Sequence, residues 1–395
     1  MNSAQARRFG SGMAVLAGIV LLGLSPISTP FGHAQNTRIY LQSNTSTTGL
    51  NTILGFSNDG TGVVTPLPGS PYPTLGTGTA GPFGAVQFDA DGQVILNAAG
   101  TQLFTVNGHS NDISAFTVNA DGSLTLVSGS PFPSGGPNPV SVGLKEKALP
   151  NINFLVVANK NQDPLQTGSA NYTTFTVASN GSLTMNAGST YLPSGAPEQV
   201  LFRHGTQVQF FGFEFATNAV VTYALDKNGL MSKISSVTPP VANPQIQGGA
   251  LNPAKSIVYV GEPVQHRVGV VDFDTAGKLT YMRDVENQGA AICWVIISAD
   301  GKYLYDAETP SSSITLYSLA NAQAPVQIQR FKVKGAGAGP ANLALDPKGG
   351  FLYAVDWDGT LHVLSVGSNG TLSEPKNPIS LNLPAGTIPL GIAVH

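Results

Sequence analysis

The sequence contains few charged residues. Of its 395 residues only 10% are Asp, Glu, Lys or Arg, and the formal net charge is −3. No cluster of Lys or Arg occurs after the first ten positions, so the basic surface that nucleic-acid-binding proteins use is missing. Long charged helices and coiled coils are disfavoured for the same reason. We expect no nucleic-acid partner, and the 46 Gly and 28 Pro indicate a chain with many turns.

Cysteine is nearly missing. Cys293 is the only one, so no intrachain disulfide can form. It lies in the apolar, strand-like segment Ile292-Cys293-Trp294-Val295-Ile296-Ile297, and we expect a buried, unreactive thiol. No His-x-x-x-His or Cys-x-x-Cys pair occurs, which argues against a zinc site.

Long apolar runs are missing as well. After the N-terminus none approaches the roughly 18 residues of a membrane-spanning helix, so no membrane span is expected. At the N-terminus, Arg7 and Arg8 precede an apolar segment over residues 12–24, and small residues at positions 32 and 34 suit a cleavage site. This pattern predicts a secretory signal peptide over residues 1–34 and a secreted or periplasmic mature chain over 35–395. Whether export uses the general or the twin-arginine route stays open.

A repeated pattern fills the rest of the chain. Each copy has a short apolar strand, a turn, a strand such as Leu-Tyr-Val-Ala, and then a hairpin with Asp-Gly or a similar turn. Equivalent positions in the second strand recur at intervals of 46 to 60 residues, at Tyr40, Leu96, Val156, Phe211, Tyr259, Tyr305 and Tyr353. No helical period extends over a useful length. The pattern predicts an all-β, seven-bladed β-propeller.

The two termini share one repeat. Residues 389–394 form an innermost strand that ends where a second strand should begin, and residues 38–41 supply a strand of that type at the start of the mature chain. We expect the last blade to be closed by the N-terminal strand, because closure removes an open sheet edge that would aggregate. A monomer is expected.

Several motifs resemble those of the lactonase-type seven-bladed propellers, the family of bacterial 6-phosphogluconolactonase and fungal muconate-lactonizing enzyme. They are the Asp121-Gly122-Ser123-Leu124-Thr125 turn, the Gly-Ser-Pro-x-Pro linkers at 69–73 and 129–133, and the Asp-Gly-x-x-Leu-Tyr step at 300–305. The resemblance covers the mature chain. It implies that a small sugar-derived or organic-acid lactone is hydrolysed or bound at the channel mouth, without a required cofactor.

The family's site residues are only partly matched. The resemblance implies a catalytic role for Glu214 and, less directly in register, an anion-holding role for Arg267. Where catalytic members have a Pro-Arg-His start to an innermost strand, this chain has Pro197-Glu198-Gln199, and where an earlier Pro-His is expected it has Pro139-Val140. The alternative to a lactonase is therefore a non-catalytic extracytoplasmic scaffold or binding module.

Four acids stand three residues after the second-strand marker in four successive repeats. We call Glu214, Glu262, Glu308 and Asp356 the acid set. One interpretation is that each carboxylate accepts hydrogen bonds within its own loop. The other is that the acid set converges around the channel mouth and binds a ligand or a metal ion, calcium being the candidate because it prefers oxygen ligands.

Loops complete the set of candidates. Residues 97–112 and 159–171 are predicted to be long connections between second and third strands, lying over the channel mouth, where propellers place specificity. His109 in the first of them is a candidate ligand-binding residue.

Overall fold

The computed structural model describes residues 36–79, 90–163, 165–335 and 339–395. They belong to one compact unit, Asn36–His395. The expected signal peptide, residues 1–34, lies outside the described residues. Seven antiparallel sheets make up this unit, which confirms the predicted seven-bladed β-propeller.

Each blade is one sheet, and we number the blades 1 to 7 from the N-terminal strand. Blade 1 contains β1 (Thr37–Gln42), β2 (Thr52–Asn58), β3 (Val64–Pro66) and β4 (Tyr72–Pro73). Blade 2 contains β5 (Val94–Leu96), β6 (Gln102–Asn107), β7 (Asp112–Val118), β8 (Leu124–Leu126) and β9 (Phe132–Pro133). Blade 3 contains β10 (Pro139–Leu149), β11 (Ile152–Asn159), β12 (Asn171–Val177) and β13 (Leu183–Met185), and blade 4 contains β14 (Pro197–Phe202), β15 (Gln209–Glu214), β16 (Ala219–Leu225) and β17 (Met231–Val237).

Blades 5 to 7 follow the same plan. Blade 5 contains β18 (Gly249–Leu251), β19 (Ile257–Glu262), β20 (Arg267–Phe273) and β21 (Leu279–Glu286). Blade 6 contains β22 (Ile292–Ile297), β23 (Tyr303–Glu308), β24 (Ser313–Ser318) and β25 (Val326–Lys332). Blade 7 contains β26 (Pro340–Leu345), β27 (Phe351–Asp356), β28 (Thr360–Val366), β29 (Leu372–Ser373) and β30 (Ile379–Ser380), and the last strand, β31 (Ile392–Val394), returns to blade 1. Three short 3₁₀ helices, η1 (Phe215–Thr217), η2 (Pro263–Gln265) and η3 (Thr309–Ser311), connect second and third strands in blades 4 to 6. The described residues form no helix of the length and hydrophobicity that crossing a membrane requires.

The ring closes where the repeat predicted. β1 pairs with β2 on one side and with β31 on the other, in the register Tyr40 to Ala393. Arg38 and His395 extend the pairing through two backbone hydrogen bonds of 2.7 and 2.9 Å. Because Ile39, Tyr40 and Leu41 are fully buried, the N-terminal strand belongs to the core as well as to the sheet edge.

Blade 2 corrects one predicted boundary. Leu96 lies in β5, the innermost strand, and the second strand is β6. The segment 97–112 is therefore not one long connection, because it contains a turn, all of β6 and a short loop at 108–111. Both β5 and β6 are short and apolar, so the strand type could not be told from hydrophobicity. The connection at 160–170, in contrast, joins β11 to β12 as predicted.

The antiparallel order fixes two faces of the propeller. Connections from second to third strands, and the links from one blade to the next, lie on one face, which we call the loop face. Connections from first to second strands lie on the opposite face. The channel between them is crossed by residues 90–92: Trp294 and Asn342 donate to the Ala90 carbonyl at 2.9 and 3.1 Å, and Ser141 donates to the Asp91 carbonyl at 2.5 Å.

Candidate functional site

The acid set occupies the last position of the second strand in blades 4 to 7. The equivalent repeat positions of blades 1 to 3 are uncharged, with Ser43 directly following β1, and all seven residues are buried: Ser43, Asn107, Asn159, Glu214, Glu262, Glu308 and Asp356. A polar side chain at this position meets the start of the third strand and can satisfy backbone and side-chain groups there. A buried polar side chain at this position is therefore a feature of the repeat itself, and in four blades that side chain is a carboxylate.

Glu214 is held by its own blade. Its carboxylate accepts hydrogen bonds from the hydroxyls of Tyr223 and, at 3.3 Å, Thr217. Burial raises the pKa of Glu214, and the Tyr223 hydrogen bond, the charge of Lys233 and the Thr217 hydrogen bond oppose the rise. Among the described residues no Arg or His forms an ion pair with it. The carboxylate expected to be catalytic is thus placed below the surface, and among the described residues no Arg or His beside it would orient an anionic substrate.

The other three acids have equally local partners. Glu262 accepts from the Tyr281 hydroxyl at 2.8 Å, and burial raises its pKa to about 7. Glu308 accepts from the Arg330 guanidinium at 2.7 Å, and Asp356 lies 2.9 Å from His362 Nε2. Within the described part of the chain no three His, Cys, Asp or Glu side chains are grouped so as to hold a metal ion. These contacts favour the interpretation in which each acid serves its own blade, and calcium binding stays a prediction.

Arg267 points along its blade towards the outer strand. It begins β20 and its guanidinium lies 2.5 Å from Asp284 and 3.9 Å from Glu286, both on β21. The hydrogen bond and charge of Asp284 raise the pKa of Arg267. An anion-holding role would require Arg267 to leave this carboxylate pair.

His109 is placed differently, because its loop contacts the loop of the next blade. Its Nδ1 lies 2.6 Å from Asp163 Oδ2, which joins the β6–β7 connection to the β11–β12 connection. The Asp163 side chain is 3% exposed and its other oxygen accepts from the Leu165 N–H at 2.9 Å, whereas the His109 side chain is 34% exposed. Gln166 in the same connection donates to the His109 carbonyl.

This pair has the arrangement of a general base and its orienting acid. A carboxylate bonded to Nδ1 fixes the imidazole ring and favours the tautomer in which Nε2 accepts a proton. The partial exposure of His109 leaves the ring accessible from the loop face. Asp163 was not singled out from the sequence, although the connection that contains it was predicted to lie over the channel mouth.

A second loop-face pair is fully buried. Lys160 Nζ lies 2.8 Å from Glu198 Oε1, with side-chain exposures of 1% and 0%. The ammonium also lies 5.4 Å from the centre of the Phe215 ring, within range of a cation–π attraction. Glu198 stands in β14 at the position where the lactonase motif has a cation, and here the cation comes from the neighbouring blade. The local charges are thus reversed, and Lys160 is another residue that sequence spacing did not reveal.

The seven closed blades define the class of the protein as a seven-bladed β-propeller, and its loop face carries a half-exposed His109 bonded to the buried Asp163. The family model for the seven-bladed β-propeller lactonases matches residues 94–387, and the chain belongs to this family. No functionally curated protein matches the sequence.

Solved structures with similar folds share little sequence. A Lactobacillus plantarum protein is 16% identical with a TM-score of 0.73, covering 91% of this chain and all of its own. A proposed 6-phosphogluconolactonase of Bacteroides fragilis is 16% identical with a TM-score of 0.72, over 93% of this chain and 99% of the other. The periplasmic gluconolactonase of Pseudomonas aeruginosa is 14% identical with a TM-score of 0.69, over 90% and 99%. At this identity the likeness establishes the fold.

Proposed function

We propose that the protein hydrolyses a small lactone, derived from a sugar or an organic acid, on the loop face, with His109 as general base. The observation that carries the proposal is the 2.6 Å contact between His109 Nδ1 and the buried Asp163 carboxylate. Family membership supports lactone chemistry as the reaction class. The role of base moves from the buried Glu214 to an imidazole that a ligand can reach.

The reaction needs one water and no cofactor. His109 Nε2 takes a proton from the water as its oxygen bonds to the lactone carbonyl carbon. The ring C–O bond then breaks, and the imidazolium returns the proton to the departing ring oxygen. The product is a hydroxy acid, which releases a proton to solvent as it ionises. Asp163 stabilises the imidazolium between these two proton transfers.

The test is a lactone panel assayed by proton release. His109→Gln should lower kcat by about 100-fold or more, the usual contribution of a general base. His266→Asn is the matched control, because His266 occupies the blade 5 connection with a backbone φ of 53° that Asn also tolerates, and it should retain full activity. Equal activity of wild type and His109→Gln, or no hydrolysis of any lactone by the wild type, would refute the proposal and favour a non-catalytic binding module.

Export belongs to the same proposal. The paired arginines and apolar segment at the N-terminus support secretion or periplasmic placement of residues 35–395. Fractionation of cells that express the full chain, with N-terminal sequencing of the product, tests this. Cytoplasmic protein that keeps Met1 would contradict it.

A further inference from the structure

The opposite end of the channel contains a cavity of about 490 Å³. The innermost strands of blades 2, 3 and 4 and the turn after β14 line it, with Lys145 and Arg203 supplying the cationic groups. His204 lies beside them, and burial together with the charge of Lys145 lowers its pKa. A smaller cavity of about 210 Å³ shares Arg203 and His204 and adds Lys255. The turn after β14 lies on the face opposite the loop face that carries His109, so the cavity is distinct from the His109 site.

Lys145 is the unusual member of this group. The residue is only 8% exposed, and its ammonium donates to the carbonyls of Arg203 and Gly205 at 2.8 and 2.7 Å. Among the described residues no carboxylate lies within ion-pair distance of it. Burial, together with the charge of Arg203, lowers the pKa of Lys145. A buried ammonium bonded only to carbonyls keeps an uncompensated charge, which is costly unless an anion approaches.

Arg203 adds a second positive charge to the cavity. The Arg203 guanidinium bonds to the Gln209 side chain at 2.8 Å and to the Thr275 carbonyl at 3.1 Å, both neutral acceptors. His204 is exposed at the cavity wall. Glu146 is the one acid among the lining residues, and its carboxylate accepts the Ala98 N–H at 2.8 Å. The cavity is therefore positively charged and has room for a molecule the size of a sugar acid.

We propose that this cavity binds a small organic anion, whose carboxylate or phosphate group contacts Lys145 with Arg203 and His204 beside it. The site is separate from the lactone reaction and does not depend on it. Its ligand is a metabolite of sugar-acid size. Such an anion would supply the negative charge that the buried Lys145 lacks.

Calorimetric titration of the purified protein with inorganic phosphate, gluconate and neutral glucose tests the proposal. Saturable binding of phosphate, gluconate or both is expected, with none for glucose, and the tighter anion identifies the head group. Lys145→Met should weaken binding by about tenfold or more, the value of a hydrogen bond to a charged group. Lys227→Met, which removes an exposed lysine outside the cavity lining, should stay within about twofold.

A second variant keeps the test valid if Lys145→Met unfolds. His204→Glu places a negative charge at the exposed cavity wall without removing a buried contact, and it should abolish anion binding while leaving the melting temperature of the free protein unchanged. Failure of both anions to saturate the wild type would overturn the proposal. Equal weakening by Lys227→Met and Lys145→Met would also overturn it, because it would show general charge attraction.

Discussion

Replacing Lys160 by Met should strongly destabilise the protein. The ammonium and the Glu198 carboxylate are 2.8 Å apart with exposures of 1% and 0%, so removing the cation takes the compensating charge away from a buried carboxylate. Loss of one partner of such a pair costs about 3–5 kcal/mol of unfolding free energy. Exchanging both partners for apolar residues, as in Lys160→Met with Glu198→Leu, should recover most of that loss, because neither charge then needs solvation.

The pH dependence of the loss has a predicted sign. Without the Lys160 ammonium, the buried Glu198 would have a raised pKa, since burial disfavours its charged form. Protonation at low pH removes the buried negative charge, so the Lys160→Met variant should lose more stability at pH 8 than at pH 5. Urea denaturation followed by circular dichroism at both pH values measures this difference.

The exposed pair of Lys302 and Asp300 is the matched control. Its atoms are 2.9 Å apart, nearly the same distance as in the buried pair, but the side chains are 70% and 48% exposed. Lys302→Met should therefore leave the denaturation midpoint almost unchanged. Similar small losses for Lys160→Met and Lys302→Met, or a double variant no more stable than Lys160→Met, would refute the reasoning that burial decides the effect.

Four further outcomes are expected. Deleting residues 38–43 should expose the edge of blade 1 and turn a monomer into aggregates, and a deletion variant that stays monomeric with an unchanged melting temperature, measured by light scattering and calorimetry, would contradict ring closure. Cys293, buried in β22, should react with a thiol reagent only after denaturation, so rapid labelling of folded protein would show an accessible thiol. Burial lowers the pKa of His362, but its hydrogen bonds to Asp356 and Glu374 outweigh burial and raise the pKa to about 9, from 6.5 in the unfolded chain. About 3 kcal/mol of unfolding free energy should therefore be present below pH 6.5 and be lost as the pH rises towards 9. An unfolding free energy that does not change over this pH range would contradict the expectation. Millimolar calcium should not raise the melting temperature if each member of the acid set serves its own blade, whereas a rise that Glu262→Gln with Glu308→Gln removes would show a shared calcium site.

Repetition made the architecture predictable from the sequence. Each blade repeats the same local pattern, an alternation of buried and exposed residues that a turn residue interrupts. A wrong strand assignment in one blade therefore does not change the predicted number of blades. Gly122 and Gly277 illustrate the pattern, because both occupy hairpin turns with a positive φ, 86° and 94°, that favours glycine. The strand at 38–41 was assigned to the ring closure for the same reason. Leu96 shows the limit of the pattern, since two short apolar strands in succession satisfy it equally well.

Radial placement of loops decided the candidate site. His109 and Asp163 are 54 residues apart, and Lys160 and Glu198 belong to neighbouring blades, so no motif spacing connects either pair. The acid set was found from the repeat because its members share a position within the blade, and that same regularity directs each carboxylate to the third or fourth strand of its own blade. The sequence repeat determines the contacts that form within each single blade. Contacts between blades depend on how irregular loops fold over one another and on how closed blades align around a channel, which only the tertiary structure determines.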